Sequence, residues 1–443
     1  MDPVSGLEEQ NRISVESAIK IAIELHKRGE IEEAVTLYND ILVADPDNPD
    51  AIHYLGVVKH QLGESEEAIG LLTRSLDLAP DNISAINNLG NVYREIGKLE
   101  RAEECYRDVL KIAPRHADTL INLAISLRGL KKTDDALATI KEAIEANPTH
   151  PLAWHNLGNI YRDLKRLDDA FFAYQQAEQL DPKNDKSSME IARILSLTGR
   201  REEAVKVLKR VIDREPDNVV AQHMLASVSG DDIPDRASNA YVRKTFDSFA
   251  ASFDESLARL EYKAPRLVAD QVISYAGDGK LDILDLGCGT GLCGPLLKPV
   301  ANRLVGVDLS AAMLVRAKRR KVYDELAENE LTAYLRETDA EFGAIICVDT
   351  FVYFGKLDEA VIAAGERLLP GGIFVFTVER HEEEVSEDAY RLQHHGRYSH
   401  TQDYLSQTVA DAGLVLDDLA QIVPRMESGE PVSGTLVVAR KQG

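Results

Sequence analysis

Prolines recur at a constant spacing through the first half of the chain, and this regularity restricts the fold more than any other feature of the sequence. Six of them are separated by intervals of 34 residues, at positions 46, 80, 114, 148, 182 and 216. A period of this length is typical of helix–turn–helix repeats, in which each unit buries its apolar face against its neighbours. The spacing therefore predicts a stack of helix pairs instead of one compact core.

Small residues follow the same period. Each unit has Ala or Gly at two fixed positions, which lets two antiparallel helices approach closely. These residues are Ala22, Gly56, Gly90, Ala124, Gly158 and Ala192 in the first helix, and Ala34, Ala68, Ala102, Ala136, Ala170 and Ala204 in the second. The pattern resembles the tetratricopeptide repeat. The resemblance implies an all-α solenoid over residues 15–229, with six repeats and a capping helix from 219, after an N-terminal tail at 1–14.

Three asparagines occupy one position of three successive repeats. Asn88, Asn122 and Asn156 are 34 residues apart and resemble the asparagine ladder in the repeats of O-GlcNAc transferase. A carboxamide can both donate to and accept from the main chain of an extended peptide. The resemblance implies that a protein or extended peptide binds in the repeat groove through these side chains. The alternative is that each Asn bonds a neighbouring turn.

The 34-residue period stops after residue 229, and a short polar linker is predicted at 230–240. From residue 241, helical segments alternate with short apolar runs, which is typical of an α/β domain with a mostly parallel sheet. The runs are 281–286, 303–307, 344–348, 372–378, 415–422 and 434–440. The last two are too close for a helical crossover and predict an antiparallel hairpin. This layout over 241–443 resembles the Rossmann-like fold of class I methyltransferases.

A glycine-rich loop follows the first apolar run. Asp285 lies in this run, and glycines stand at 287, 289 and 291. Glycine adopts backbone angles that other residues avoid and lets a ligand lie against the main chain. Asp308 ends the second run, where an acid can hold two ribose hydroxyls. Dinucleotide enzymes and methyltransferases both use such an acid, but the G-x-G-x-G spacing after an aspartate favours a methyltransferase, because that aspartate suits a ligand with an ammonium group.

The glycine loop, the acid at 308 and the Leu-Pro-Gly-Gly segment at 369–372 together resemble S-adenosylmethionine-dependent methyltransferases. The resemblance implies that S-adenosylmethionine is the cofactor. It places Asp285, Gly287 and Gly289 at the methionine end, Asp308 at the ribose and Met313 beside the adenine. Ordinary core packing is an alternative for Met313. The other residues of the implied cofactor site are Cys288, Gly291, Leu309, Asn329 and Glu330.

Acceptor-side residues of this fold come from the end of the fourth strand, the loop after the fifth strand and an N-terminal lid. Four of the 11 histidines fall between residues 381 and 400, and an imidazole that titrates near neutral pH can serve as a general base. A polar lid with solvated histidines is the alternative. The candidate catalytic residues are Asp349, Tyr353, His395, Tyr398 and His400. No Cys joins the histidines, so no metal site is expected.

Charge and cysteine content exclude some partners. The chain has 51 Lys and Arg against 74 Asp and Glu, a net charge of −23. This surplus argues against a broad surface for nucleic acid or anionic lipid. No apolar run is long enough to span a bilayer, and the four scattered cysteines are typical of a reduced, cytoplasmic protein. We therefore expect a cytoplasmic protein with neither a nucleic-acid partner nor a membrane association.

The leading hypothesis is an S-adenosylmethionine-dependent methyltransferase that modifies oxygen or nitrogen, with repeats that recruit a protein partner or substrate. The alternative is a repeat scaffold whose methyltransferase domain binds cofactor but turns over weakly. The glycines and Asp308 bear on cofactor binding alone, so the sequence leaves the identity of the acceptor open.

Overall fold

The computed structural model of the protein describes residues 14–381, 389–427 and 429–443. Most of the predicted N-terminal tail, residues 1–13, lies outside the described residues. Tertiary packing divides the chain into two compact units, the first ending at Ile191 and the second beginning at Ala192. The sequence-based boundary at 229 marks the end of the repeat pattern, whereas the packing boundary falls inside the last full repeat.

The first unit is an array of antiparallel helix pairs, as the 34-residue period predicts. Every pair has a 13- or 14-residue helix on each side of a tight turn. The helices are α1 Val15–Arg28, α2 Ile31–Ala44, α3 Pro49–Gln61, α4 Ser65–Leu78, α5 Ile83–Glu95, α6 Leu99–Ile112, α7 Ala117–Gly129, α8 Thr133–Ala146, α9 Pro151–Asp163 and α10 Leu167–Leu180, followed by α11 Asp185–Leu197, which crosses the unit boundary.

The small residues of the repeat lie where the helices of a pair touch. A Cβ atom on Gly90 would stand 2.7 Å from the ring of Tyr106, and one on Gly158 would stand 2.6 Å from the ring of Tyr174. Both tyrosines are fully buried. The glycines therefore make room for a large ring in the second helix of the same repeat, which explains the small-then-large pattern of the sequence.

The turn inside each pair contains one residue with a left-handed backbone. It is glycine at 29, 63, 97 and 199, with φ between 75° and 86°, but lysine at 131 and 165, with φ of 60° and 58°. This conformation ends the first helix of the pair, and glycine adopts it without the steric cost that a Cβ atom brings. Lys131 and Lys165 thus occupy positions that the fold prefers to fill with glycine.

The second unit combines helices with a large sheet. Its further helices are α12 Arg201–Arg214, α13 Val219–Ser229, α14 Asn239–Phe249, α15 Phe253–Arg259, α16 Ala264–Ala276, α17 Gly294–Leu297, α18 Ala311–Arg319, α19 Leu331–Glu337, α20 Asp358–Glu366 and α21 Gln402–Asp411. Its strands are β1 Leu281–Leu286, β2 Ala301–Asp308, β3 Glu325–Glu328, β4 Phe342–Cys347, β5 Leu368–Arg380, β6 Tyr390–Leu392, β7 Tyr398–His400, β8 Leu414–Ile422, β9 Met426–Glu427, β10 Glu430–Pro431 and β11 Gly434–Lys441.

The main sheet has the strand order β3-β2-β1-β4-β5-β11-β8. The first five strands pair in parallel, and β11 pairs antiparallel with β5 and β8. This arrangement confirms the predicted α/β fold with a C-terminal antiparallel hairpin. The sequence did not predict β3 or the short pair β6 and β7, which joins the sheet at the end of β5.

Apolar side chains cover both faces of the sheet. Leu284, Val305 and Ile345 belong to one buried cluster, whereas their chain neighbours Ile283 and Leu304 belong to the cluster on the other face. Successive residues of a strand point to opposite faces, so these unbroken apolar runs fit a parallel sheet that is covered by helices on both sides. The polar functional groups are left at the ends of the strands.

The segment predicted as a linker is bonded to the methyltransferase-like fold. The N–H of Ala237 donates to the carbonyl of Tyr353 at 2.8 Å, and the N–H of Gly355 donates to the carbonyl of Asp235 at 2.8 Å. Ser238 then caps α14 by accepting from the N–H of Tyr241. Residues 235–238 therefore position α14 over the end of the sheet.

We expect Lys131→Gly to raise the free energy of unfolding of the full chain by about 0.5 to 1 kcal/mol, because a left-handed backbone costs a residue with a Cβ atom about 1 to 2 kcal/mol, partly offset by the greater freedom of an unfolded glycine. Lys131 is exposed, so little packing is lost. Urea titration followed by circular dichroism measures the change. The matched reverse variant is Gly97→Lys at the equivalent position, which should destabilise; equal midpoints for both variants and the native chain would contradict this account.

Candidate functional site

A cavity of about 550 Å³ opens at the carboxyl ends of the central parallel strands. Its floor is formed by the glycine loop after β1, the end of β2 and the segment after β4, and α14 and α15 supply its roof. Ligands of open α/β sheets bind at this edge. All of the lining residues belong to the second unit.

The three glycines of the loop have different roles, although all have a left-handed backbone. A Cβ atom on Gly289 would project into open space, 3.9 Å from its nearest neighbour, the ring of Phe253. A Cβ atom on Gly287 would collide with Thr350, and one on Gly291 would stand 2.8 Å from the ring of Tyr323. Gly289 thus leaves main chain exposed to a ligand, whereas Gly287 and Gly291 permit close packing of the loop. Gly291 does not line the cavity among the described residues.

Asp308 faces the cavity from the end of β2. One carboxylate oxygen accepts from the N–H of Gly289 and the other from the N–H of Ser310, both at 2.8 Å. Burial raises the pKa of Asp308, and these amide donors oppose the rise. Each oxygen keeps a lone pair for a second donor, so the carboxylate is fixed in place and can still accept a pair of hydroxyl groups.

Asp285 lies beneath the loop and is almost completely buried. Its carboxylate accepts from the hydroxyl of Tyr323 at 2.7 Å. Burial raises the pKa of Asp285 to about 7, and the nearby charge of Asp308 adds to the rise. A cationic group in the cavity would lower this pKa and favour the carboxylate form.

The other residues expected at the cofactor site divide into two groups. Cys288, Leu309, Asn329 and Glu330 line the cavity. Glu330 also caps α19, since its carboxylate accepts from the N–H groups of residues 332 and 333. Met313 is buried on α18 and is not among the lining residues of the described chain. Its place is therefore in the core, the alternative that the sequence left open.

Two acidic residues hydrogen-bond α14 and α15 to the residues at the bottom of the cavity. Asp247 on α14 accepts from the hydroxyl of Ser310 at 2.5 Å. Asp254 on α15 accepts from the hydroxyl of Thr290 and from the guanidinium of Arg320, each at 2.5 Å. These bonds hold the aromatic side chains of the two helices over the glycine loop. They place Phe246, Phe249 and Phe253 in the cavity wall.

Beside the glycine loop lies a buried ionic cluster centred on the guanidinium of Arg425. Its Nη1 donates to Asp349 Oδ2 at 2.6 Å, its Nε donates to Glu427 Oε1 at 2.7 Å, and its Nη2 donates to Glu379 Oε1. Arg397 adds a second cation, at 2.6 Å from Glu379 and 2.8 Å from both oxygens of Glu427. Five charged side chains from four segments thus close this end of the cavity.

His395 borders the same cluster, with Nε2 at 3.6 Å from Glu379 Oε2. Burial lowers the pKa of His395 to about 4, with the charge of Arg397 acting in the same direction. The imidazole is therefore neutral at pH 7 and lines the cavity, and its lowered pKa makes it a weaker base than an ordinary histidine.

Three of the five candidate catalytic residues line the cavity, namely Asp349, Tyr353 and His395. The other two are bonded elsewhere on and near β7. The hydroxyl of Tyr398 donates to the carbonyl of Pro234 at 2.7 Å, and Nε2 of His400 lies 3.0 Å from the carbonyl of Gly355. Tyr398 and His400 share one strand face because they are two residues apart, and that face packs inside the protein. We therefore remove both from the candidate catalytic set.

In the first unit, the amide nitrogens of the three repeat asparagines already have partners. Asn88 Nδ2 lies 2.8 Å from His53 Nε2, Asn122 Nδ2 lies 3.1 Å from Asn91 Oδ1, and Asn156 Nδ2 donates to the carbonyl of Leu152 at 2.9 Å. The bonds of Asn88 and Asn122 join successive repeats, so these side chains have a structural role in the array. Asn88 and Asn122 are half-buried and Asn156 is buried.

Comparison with known proteins assigns both parts of the chain. A family model described as a methyltransferase domain matches residues 283–372. Models described as tetratricopeptide repeats match residues 24–63, 47–115, 82–149, 121–185 and 161–228. Methyltransferase-like protein 27 of Homo sapiens is 30% identical over 188 residues, which cover 41% of this chain and 72% of that protein.

This chain belongs to the methyltransferase family. A fusion of tetratricopeptide repeats to the methyltransferase domain is confirmed as well. An uncharacterized methyltransferase of Schizosaccharomyces pombe is 24% identical over 200 residues, or 37% of this chain and 69% of that protein. A solved structure titled for the functional characterization of Pseudomonas aeruginosa pilF is 20% identical, with a TM-score of 0.43, and covers 48% of this chain and 96% of that one.

The family match includes the glycine loop, Asp308 and Asp349 of the methyltransferase domain, but it ends before Arg397 and Arg425. Sequence reasoning missed Arg425, Glu379 and Glu427. Their position in the sequence could have marked them as candidates, because each is a charged residue at or just beyond the end of an apolar strand. Ligands of such sheets bind at the ends of the strands.

Neither a membrane-spanning helix nor a metal-binding cluster occurs in residues 14–381, 389–427 and 429–443. No helix there is long and apolar enough to cross a membrane. No group of three or more His, Cys, Asp and Glu side chains there could hold a metal ion.

We expect the ionised Asp285 carboxylate to destabilise the ligand-free fold at neutral pH, and Asp285→Asn to remove this pH-dependent loss of stability. The folded-state pKa of about 7 exceeds the ordinary value of 3.8, so the folded state binds the extra proton between these values and the native chain loses stability as pH rises through this window. The free energy of unfolding of the variant, relative to that of the native chain, should rise by on the order of 4 kcal/mol between pH 4 and pH 7.5. Urea unfolding at stepped pH measures the difference, and a constant difference would contradict a raised pKa.

Proposed function

We propose that this protein is an S-adenosylmethionine-dependent methyltransferase. The observation that carries the proposal is the open main chain at Gly289 (the cradle) beside the fixed carboxylate of Asp308. A nucleoside needs space to lie against the main chain, and its two ribose hydroxyls need an acceptor. Asp285 adds a buried carboxylate below the loop that suits the ammonium group of the methionine part. Asn329 and Glu330 line the cavity on the far side of Asp308, where they would meet the adenine.

When bound, the cofactor supplies a methyl group on a sulfonium, which is already activated for in-line displacement. The protein then has to orient the acceptor and exclude water. The aromatic side chains held by α14 and α15 would exclude water above the loop. Their position is fixed by the hydrogen bonds of Asp247 and Asp254 with the floor.

We place the acceptor between the glycine loop and the ionic cluster, with methylation on oxygen or nitrogen. Asp349 is the group there that is best suited to accept a proton, because burial raises its pKa. His395 is also neutral at pH 7, but its lowered pKa makes it the weaker base of the two. Burial raises the pKa of Tyr353 well above its ordinary range. Tyr353 would therefore stay protonated and act as a hydrogen-bond donor to the acceptor or its surroundings.

The repeats, in this proposal, recruit a protein partner or substrate in their groove. Support comes from the repeat family itself, which is a protein-binding architecture, and from the three asparagines of equivalent position. All four cysteines are free thiols, which supports a cytoplasmic location.

Isothermal titration of the full chain with S-adenosylmethionine should show binding to one site. We expect Asp308→Ala to weaken it at least about tenfold, since a carboxylate that accepts two hydroxyls provides charge-assisted hydrogen bonds of about 1.5 to 3 kcal/mol each. Gly289→Val should abolish binding by filling the cradle.

Two control variants separate these effects from damage to the fold. Gly413→Val introduces the same side chain at another left-handed glycine, where a Cβ atom would meet nothing within 4 Å and which does not line the cavity. Asp418→Ala removes an exposed carboxylate from β8. Both should bind normally. A native chain that shows no binding would refute the proposed function.

Partner recruitment is tested by incubating the full chain with cell extract and methyl-labelled cofactor. We expect labelled protein, and a lower yield from the triple variant Asn88→Ala, Asn122→Ala, Asn156→Ala at unchanged cofactor affinity. Label confined to small molecules would refute a polypeptide acceptor. Because Asn88 and Asn122 also join repeats, the unfolding midpoint of the variant has to be compared with that of Asn91→Ala. This control breaks the bond between Asn91 and Asn122, and also the bond from the Tyr106 hydroxyl, without removing any of the three asparagines.

A further inference from the structure

We propose that the methyl acceptor is an amine, which enters as its ammonium form and donates a hydrogen bond to Oδ1 of Asp349. The nitrogen would then give this proton to the Asp349 carboxylate. Its freed lone pair would form the N–C bond as the C–S bond of the sulfonium breaks, so that the methylated ammonium and S-adenosylhomocysteine are the products. This inference rests on the proposed methyltransferase function and names the substrate class of the same cavity. It is carried by the way in which charges and hydrogen bonds are distributed over the ionic cluster.

Asp349 is bonded to the cluster through one carboxylate oxygen only. Each of the three guanidinium nitrogens of Arg425 donates a hydrogen bond to a different carboxylate. Arg397 then bonds Glu379 and Glu427 a second time. Asp349 receives the bond from Arg425 on Oδ2 only. Its Oδ1 is buried and has no hydrogen-bond partner among the described atoms, which is costly for a carboxylate oxygen unless a ligand or water donates to it.

The backbone holds this oxygen next to the cofactor cradle. Asp349 follows β4 with a φ of 54°, a left-handed conformation that is rare for a residue with a side chain. Its N–H donates to Thr377 Oγ1 at 2.9 Å, and the next residue, Thr350, fits against Gly287 of the glycine loop. Backbone strain of this kind is retained where it aims a functional group. Here it turns a carboxylate into the cavity beside the glycine loop.

The charge of the cluster favours a cation. Three carboxylates face two guanidiniums, and His395 is neutral at pH 7, so one negative charge is left over when all three acids are ionised. Burial and the charge of Glu379 raise the pKa of Asp349, which shows that its carboxylate form lacks a full partner. A buried charge without a partner is unfavourable, and an ammonium group would supply the missing partner. A carboxylate acceptor would meet this charge at close range. It would find no spare cation in the cluster, because Arg397 and Arg425 are already bonded to acids.

Aromatic side chains complete a binding site for a cation. Phe246, Tyr262 and Tyr353 line the cavity, and the rings of Phe246 and Tyr353 meet edge to face with centroids 5.4 Å apart. The charge of Asp349 raises the pKa values of Tyr262 and Tyr353 in addition to their burial, so both lie within its field. Ring faces attract ammonium groups most strongly when water is excluded. A neutral alcohol would gain neither from the rings nor from the net charge.

The test uses three probes of one shape, namely benzylamine, benzyl alcohol and benzoate. Their dissociation constants are measured by NMR titration at pH 7 on the full chain saturated with S-adenosylhomocysteine. We expect the ammonium probe to bind at least about tenfold more tightly than the alcohol, the factor that corresponds to one charge-assisted hydrogen bond, and benzoate to bind most weakly. In Asp349→Asn the three probes should bind within about threefold of one another.

Asp349→Asn leaves two carboxylates and two guanidiniums in balance, so it is expected to fold. The matched variant Glu427→Gln removes the same charge from the cluster but keeps the open oxygen, and it should retain a clear preference for the ammonium probe. Three results would overturn the inference: equal binding of the probes by the native chain, an unchanged preference in Asp349→Asn, or an equal loss in both variants. Failure of S-adenosylhomocysteine to bind the native chain would instead sink the proposed function itself.

Discussion

The guanidinium of Arg425 connects strand β9, which lies outside the main sheet, to the ends of two strands of that sheet. It bonds the segment after β4, the end of β5 and strand β9 through three separate carboxylates. A buried cation is stable only where acids and further hydrogen bonds compensate its desolvation. The cavity wall therefore depends on all of these groups being present together, and loss of the arginine would leave three acids buried against one another.

Beside this wall, the glycine loop at the same sheet edge leaves space because it lacks side chains. Gly289 leaves main chain open beneath Phe253, and Asp308 is held by two amides of the loop and of α18. One end of the cavity thus presents backbone and a fixed carboxylate, which suits a nucleoside. The other end presents an ionic cluster with surplus negative charge. Two ends of different chemistry in one cavity are what a transfer reaction between two ligands requires.

The sequence predicts those features that depend on local pattern. The 34-residue period located the helix pairs, and the apolar runs located β1, β2, β4, β5, β8 and β11, because repetition and strand hydrophobicity are properties of short segments. The positions of Asp285, Gly289 and Asp308 at the edge of the sheet could be predicted for the same reason. Strand β3 was missed because only two of its four residues, Leu326 and Ala327, are apolar.

The ionic cluster could not be predicted because its members come from segments up to 78 residues apart, Asp349 to Glu427. Their meeting depends on how the hairpin of β8 and β11 folds back beside β5, which no local pattern specifies. The histidines illustrate the same limit. Composition singled out the segment around residue 400, but only the direction of each side chain separates His395, in the cavity, from His400, which lies against a backbone carbonyl.

The most direct test of the account is a crystal structure of the full chain with S-adenosylhomocysteine and benzylamine. The account predicts that both ribose hydroxyls bond to Asp308, that the nucleoside lies over Gly289, and that the amine nitrogen lies within hydrogen-bond distance of Asp349 Oδ1. A nucleoside bound outside this cavity, or an amine that avoids Asp349 while the nucleoside is in place, would contradict it.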